Sequence, residues 1–316
     1  MRPGDGVTSG AGWFQRARTA PGRRRAAGRR GPGSRAAALV LRDPQGTASV
    51  AILGTLVAVA VFAGTLAPHD PVAVNLSRRL LPPAWAPGGQ PGYLLGTDLL
   101  GRDVLSRIIV GARVSLTIGF AAATLSGLAG MLVGLAAGYL RGPFDAVVVK
   151  LADIQYALPW LVLVIAIIAV IGPSVTSLIV TLALWTWVPF ARVVRSETLS
   201  VREEGFVEAA SALGARPARI MARAVLPNVL SSSIVIWSFT VSQVILSESA
   251  LSFLGLGVQP PTPSWGNMVG EGRAYLGVAW WIVTMPGLAI ALAVLGVNML
   301  GDALRDALDP RLRSRR

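Results

Sequence analysis

Six apolar stretches, separated by polar segments rich in arginine, glycine or proline, set the pattern of this chain. The first covers residues 48–67. At about 20 residues it is long enough to cross a hydrocarbon layer, and no small-residue cleavage pattern follows it, so it is read as a span that stays. The others cover residues 114–140, 155–171, 175–194, 230–254 and 278–300. Gly130, Gly134 and Gly138 recur every fourth position in the second stretch, a spacing that lets two helix backbones approach closely where lipid offers no hydrophobic drive to associate. Pro159 falls near the start of the third, and Gly172-Pro173-Ser174 turns the chain into the fourth. Before the second stretch, Thr97 or Asp98 is placed to cap a short helix. Val104, Leu105, Ile108 and Ile109 give that helix an apolar stripe along the membrane surface.

One polar stretch stands apart. Residues 207–228, VEAASALGARPARIMARAVLPN, read as a helix, a turn and a second helix on the water side of the membrane. Gly214 sits where a helix needs a left-handed residue to end, and Pro217 where the next tolerates a missing N–H. Arg216, Arg219 and Arg223 share a face, while Ile220, Met221 and Val225 turn toward the bilayer or the protein.

Composition narrows the chemistry. Charged residues make up 14% of the 316 and hydrophobic residues 53%, against roughly 25% charged in soluble domains. There is no cysteine, and His69 is the one histidine, so disulfides, thiolate metal sites and a Ser-His-Asp triad lack material. The net charge of +13 is almost all arginine, Lys150 being the only lysine. In a membrane protein this reads as cytoplasmic loops obeying the positive-inside rule rather than as nucleic-acid binding. Residues 1–46, with RRR at 23–25, have no apolar period and read as a disordered cytoplasmic tail beside anionic lipid. The same rule places both termini, the 141–153 loop and the 195–228 loop inside. Arg78, Arg79, Arg102 and Arg107 are then an exception on the outside.

The pattern Glu208-Ala209-Ala210, Gly214, Ile220, Leu226-Pro227 resembles the EAA loop of bacterial ABC-importer permeases. Further stretches resemble the C-type permease of the dipeptide, oligopeptide and nickel uptake family. They are LGTDLLGRDVLSRIIVGARVSL at 95–116, ADIQYALPWLVL at 152–163, VPFARVVRSETLSVREEGFVEAA at 188–210, SFLGLGVQPPTPSWGNM at 252–268 and NMLGDALRDALDPRLR at 298–313. Ala224 stands where that family often has a histidine.

The resemblance implies an all-α polytopic membrane protein, the type I ABC importer transmembrane domain, with six transmembrane helices. Residues 47–94 would hold the first helix and the start of an outer loop, and 95–313 the permease core with its coupling loop at about 195–228. It implies a non-catalytic subunit of the prokaryotic cytoplasmic membrane. Its partners would be a second permease, two ATP-binding subunits that bind ATP–Mg, and an extracytoplasmic substrate-binding protein docking on loops 68–112 and 255–277. Cargo would be di- or oligopeptides or a related small solute. Coupling would fall on Glu208, Ala209, Ala210, Gly214, Arg216, Ile220, Leu226 and Pro227. The chain has no GxxxxGK[ST] loop, hence no sign of its own nucleotide site or other cofactor.

Two acids near or within spans need partners, because a central acid costs about 2.5–3.5 kcal/mol on insertion scales. Glu248 is expected on a path, at a subunit interface or in a structural pair near the outer edge, and Asp153 at the membrane interface. The tryptophans at 185, 187, 280 and 281 are read as interface anchors. An intramembrane enzyme lacks its side chains here. A carrier working alone predicts internal repeats and more buried titratable groups, and it leaves the 207–228 stretch unexplained.

Overall fold

The structure, a computed structural model, describes residues 39–41 and 43–308. Most of the tail read at 1–46 and the end of the 298–313 stretch lie outside these residues. Apart from one bridge between Thr97 and Asp103, regular structure among the described residues is helical.

Helix α1, Pro44–Val61, starts four residues before the apolar run because Asp43 caps it, accepting from the Gly46 N–H at 2.9 Å with Pro44 in the first turn. A short α2, Ala63–Leu66, continues it. A loop bearing a 3₁₀ turn at Leu76–Arg78 leads to α3, Val104–Leu140. The cap of α3 is Asp103, which accepts from the Ser106 N–H at 2.8 Å, so neither Thr97 nor Asp98 takes that role. The expected separate surface helix at 104–109 does not form. Its stripe is the first turns of α3, because no proline stands between residues 104 and 114 and the side chains of Val104 and Ile108 have a core to enter.

The third span is broken. Helix α4, Gly142–Ala157, and helix α5, Trp160–Ile171, meet at 95°. Leu158 is driven to extended backbone (φ −91, ψ 137) by the proline after it. With 12 residues, α5 reaches only about 18 Å, so crossing needs both arms. Gly172 then turns with φ +81, and Ser174 opens α6, Val175–Arg202, through a reciprocal cap with Ser177.

After α7, Gly205–Ala212, the chain re-enters through α8, Pro217–Ile220, a π turn at Met221–Val225, and α9, Leu226–Phe253. The second helix of the predicted surface pair is therefore not a surface helix but the first turns of a span. The wider π turn precedes Pro227, whose ring would clash with a carbonyl of a regular turn, and the Asn228 amide donates to the Ala224 carbonyl at 2.6 Å. Helices α10, Trp265–Gly272, and α11, Trp281–Leu308, complete the fold.

Among the described residues, five helices qualify as spans by length and apolarity, and the bent pair makes six. The most extensive contact joins α3 to α6. A Cβ on Gly130, Gly134 or Gly138 would lie 2.3, 2.5 and 2.7 Å from the carbonyl oxygens of Trp187, Ala191 and Arg195, so the fourfold glycine spacing is the seam of this pair. Val40 packs with Ala303 and Ala307, which brings the described N- and C-terminal portions to one end. Residues 203–216 occupy the same end, joined to α3 through Arg141 and Glu203 at 2.7 Å. The loops at 67–103 and 255–280 form the opposite end, termed the cap.

Candidate functional site

At the elbow end, α7 and α8 project from the bundle around Gly214. Its φ of +80 is the left-handed conformation, and a Cβ there would meet nothing within 4 Å, so the demand for glycine is purely conformational. The neighbouring Leu213 is 89% exposed, an apolar side chain at the tip of a protrusion. Glu208 and Ala209 are exposed and Ala210 is half-buried. Arg216, Arg219 and Arg223 are all exposed. Ile220, together with Val207 and Val225, anchors the elbow against Leu135, Val194 and Val229, while Leu226 packs on that cluster. These apolar residues turn toward protein, and the arginines turn away from it. Glu208 borders a cleft of about 460 Å³ with Arg141, Arg202 and Glu203. The elbow thus combines an exposed acid, an apolar knob and a basic face on a rigid base.

Behind the elbow, α6 and α9 border a furrow. Its elbow-end part, about 650 Å³, is lined by Val193, Glu197, Ser232, Ile236, Arg305 and their neighbours. A second part, about 330 Å³, sits inside the α4–α5 break, lined by Tyr156, Trp160, Trp185, Thr186, Gln243 and Ser247. Residues 186, 189, 193 and 197 follow at helical spacing on α6, and residues 228, 232, 236, 243 and 247 do so on α9, so both parts open on one face of each helix. Ser232 donates to Glu197 Oε1, and Glu197 Oε2, buried, makes no hydrogen bond. Gln243 is exposed midway along α9.

The expectation for the tryptophans changes. Trp185 and Trp187 stand ten to thirteen residues into α6, a 28-residue helix, at mid-depth and not at an interface. Trp187 donates to Gln155 Oε1 at 3.0 Å, and Trp185 meets Tyr156 edge-on at 6.4 Å. Trp281, at the cap, is buried and donates to the Thr97 carbonyl at 3.1 Å.

Glu248 has no exposed surface and lies inside the bundle, not on the furrow. Its carboxylate accepts from Ser252 at 2.7 Å and from Ser115 at 3.5 Å, and Ser115 Oγ also accepts from the Trp265 N–H at 3.2 Å. It therefore ties α3, α9 and α10 together. Asp153 is exposed on α4 and pairs with Arg192 at 2.5 Å; Arg192 lies over the Tyr156 ring at 4.8 Å, beside the furrow.

The cap explains two of the misplaced arginines. Arg102 donates to Asp98 at 2.6 Å and to Glu271 at 2.7 Å; Arg107 donates to Asp98 and, at 2.8 Å, to Glu271. Arg102 and Arg107 are 5% and 1% exposed. Two acids cancel two bases inside the protein, so these arginines present little charge to a membrane surface. Glu197, Gln243 and Glu271 escaped the sequence reading. For Gln243 the signal was available, the one carboxamide inside the 230–254 stretch. Glu197 fell past a span expected to end at 194.

Six membrane crossings, one of them a broken helix, with a protruding elbow at one end define a polytopic transport subunit, and sequence comparison agrees. Residues 130–314 match the family described as binding-protein-dependent transport system inner membrane component, and the chain belongs to that family. It is 44% identical over 255 residues (81% of this chain, 84% of the relative) to a di/tripeptide transport system permease protein of Pseudomonas aeruginosa. It is 39% identical over 262 residues (82% and 84%) to a glutathione transport system permease protein of Escherichia coli. Its fold matches a chain of the MetNI methionine ABC transporter with a TM-score of 0.55 at 19% identity, over 65% of this chain and 97% of that one. The protein is thus a membrane subunit of an ABC importer with the type I transmembrane fold.

Proposed function

We propose that this chain is one of two permease subunits of an ATP-driven peptide importer in the prokaryotic cytoplasmic membrane, with the elbow end in the cytoplasm. The reading rests on one observation. The second arm of the elbow, α8, runs through the π turn into α9 without losing helical continuity, so any push on the elbow is delivered axially to a span. A separate ATPase supplies that push and binds ATP–Mg. Leu213 seats in an apolar recess of that partner, and Glu208 pairs with one of its basic groups. Gly214, with Ala209 and Ala210 leaving room on α7, keeps the tip narrow enough to insert, and Arg216 flanks the contact. Ile220, Leu226 and Pro227 sit where the elbow joins the span and carry the motion inward.

Charge supports the orientation. Arg141, Lys150, Arg192, Arg195, Arg202, Arg216, Arg219 and Arg223 all lie toward the elbow end, and both termini follow it. The cap then faces outward, where a substrate-binding protein delivers cargo. Peptide as the cargo follows the relatives named above. Glu248 acts as a packing centre of the outer half and Asp153 as a surface pair near the path.

The test joins topology to coupling. The native sequence has no cysteine, so Ala212→Cys introduces a lone thiol. In spheroplasts a membrane-impermeant maleimide leaves it unlabelled until the membrane is opened. In the same complex Glu208→Lys abolishes co-purification of the ATPase and uptake. Labelling from outside, or retained uptake with normal co-purification, overturns the reading.

A further inference from the structure

The furrow between α6 and α9 calls for an explanation beyond packing. Hydrocarbon offers no partner for an amide or a carboxylate, and burying one without a partner costs several kcal/mol. Yet Gln243 is exposed in α9, a span that also carries several serines and Glu248, and Glu197 keeps one buried oxygen without a hydrogen bond. Gln243 lies beside Thr186 and Ser247 in the part inside the helix break, and Glu197 beside Ser231 and Ser232 in the elbow-end part. Lipid does not fit such a surface, whereas a water-filled conduit does.

The ends of the furrow differ in chemistry. The part inside the helix break is aromatic and uncharged, lined by Tyr156, Trp160 and Trp185. The elbow-end part holds an acid, Glu197, and a base, Arg305, on opposite helices. Its volume of about 650 Å³ lies within the roughly 300–1,000 Å³ of small-molecule sites. A short peptide carries an ammonium at one end and a carboxylate at the other, and its middle is amide and side chain.

We propose that this furrow is the chain's wall of the solute path, with Glu197 and Arg305 holding the ammonium and carboxylate ends of a zwitterionic peptide at the inner mouth and Gln243 bonding its backbone further up. The site deepens the peptide-importer reading and rests on it for the identity of the cargo. Glu197 turns its second oxygen, buried in this structure, toward the peptide ammonium while Ser232 holds the first, and the aromatic break above gives side chains an apolar, non-selective surface. Selection by charge therefore falls at the exit. The initial choice of cargo belongs to the binding protein outside.

The test uses the complete importer in proteoliposomes with trialanine as the probe. Single-cysteine variants Glu197→Cys and Gln243→Cys are treated with a charged methanethiosulfonate, with Leu184→Cys, 56% exposed on the opposite side of α6, as the lipid-facing control. Both furrow thiols should react at least fivefold faster than the control. Their rates should change at least threefold between the ATP-free and vanadate-trapped states, and trialanine-loaded binding protein should slow Glu197→Cys. Glu197→Gln should lower maximal trialanine uptake at least fivefold with the KM within twofold, because the KM is set outside. Furrow thiols as inert as the control in both states, in a complex whose wild type imports trialanine, overturn the path. Normal uptake by Glu197→Gln, or reactive thiols indifferent to trialanine, overturns the peptide contact. A wild type that imports another solute but not trialanine fails the cargo reading instead and overturns the zwitterion pairing, while state-dependent labelling still supports the path.

Discussion

The Gln155 side chain donates to the main-chain carbonyl of Trp185 at 2.6 Å. That carbonyl belongs to the residue four before Pro189, the proline inside α6. A regular helix would satisfy it from the N–H of residue 189, which proline lacks. Gln155 supplies the missing donor from α4, and its oxygen accepts from Trp187 at 3.0 Å. One side chain thus fastens the broken third span to the proline-bearing fourth beside the furrow. Replacing Gln155 with Leu should cost about 1–3 kcal/mol and lower the unfolding temperature of the purified complex. In a Pro189→Ala background, where the helix bonds its own carbonyl, Gln155→Leu should cost measurably less. Equal costs in the two backgrounds would rule this linkage out.

The α3–α6 seam predicts a graded response. Gly134→Ala puts a methyl 2.5 Å from the Ala191 carbonyl oxygen. Backbone must move, at about 1–3 kcal/mol, and Gly134→Leu should abolish assembly. Gly54→Ala on α1, with nothing within 4 Å, should be neutral or slightly stabilising. Detergent-resistant assembly on gel filtration reads all three.

At Gly214 the constraint is φ, not space. Alanine should cost about 1–2 kcal/mol of elbow stability for its left-handed backbone, asparagine less, and valine most. ATP-dependent uptake should fall in the order Gly, Asn, Ala, Val. Ranking by side-chain volume, with alanine better than asparagine, would indicate a packing constraint instead.

The cap network should resist salt. Asp98→Asn leaves Arg102 and Arg107 sharing one carboxylate and should cost about 3–5 kcal/mol. Because these groups are buried, the loss should change little between 0.05 and 0.5 M NaCl, roughly a fourteen to four Å change in screening length. The exposed Arg141–Glu203 pair, with side chains 44% and 72% exposed, should contribute no more than about 1 kcal/mol, and that contribution should vanish at high salt. Thermal melts of Asp98→Asn and Glu203→Gln at both salt concentrations provide the check.

Local rules were legible in the chain itself. The number and approximate extent of the apolar runs, the fourfold glycine spacing, the stop at Gly214 and the start at Pro217 follow from hydrophobic length, from backbone geometry and from which residues tolerate a missing N–H or a positive φ. These constraints act within a few residues, so one sequence suffices to read them. The relation between segments was decided only in three dimensions. The stripe at 104–109 became part of α3, and α8 became part of α9, because tertiary packing rewards extending a helix that has a core to enter. Pro159 turned an expected span into two arms at 95°, held by Gln155 from a position where sequence shows no reason for an amide. Arg102 and Arg107 found Asp98 nearby but Glu271 some 160 residues away. A charge balanced across such a distance cannot be inferred from local composition, because the partner exists only once the chain has folded.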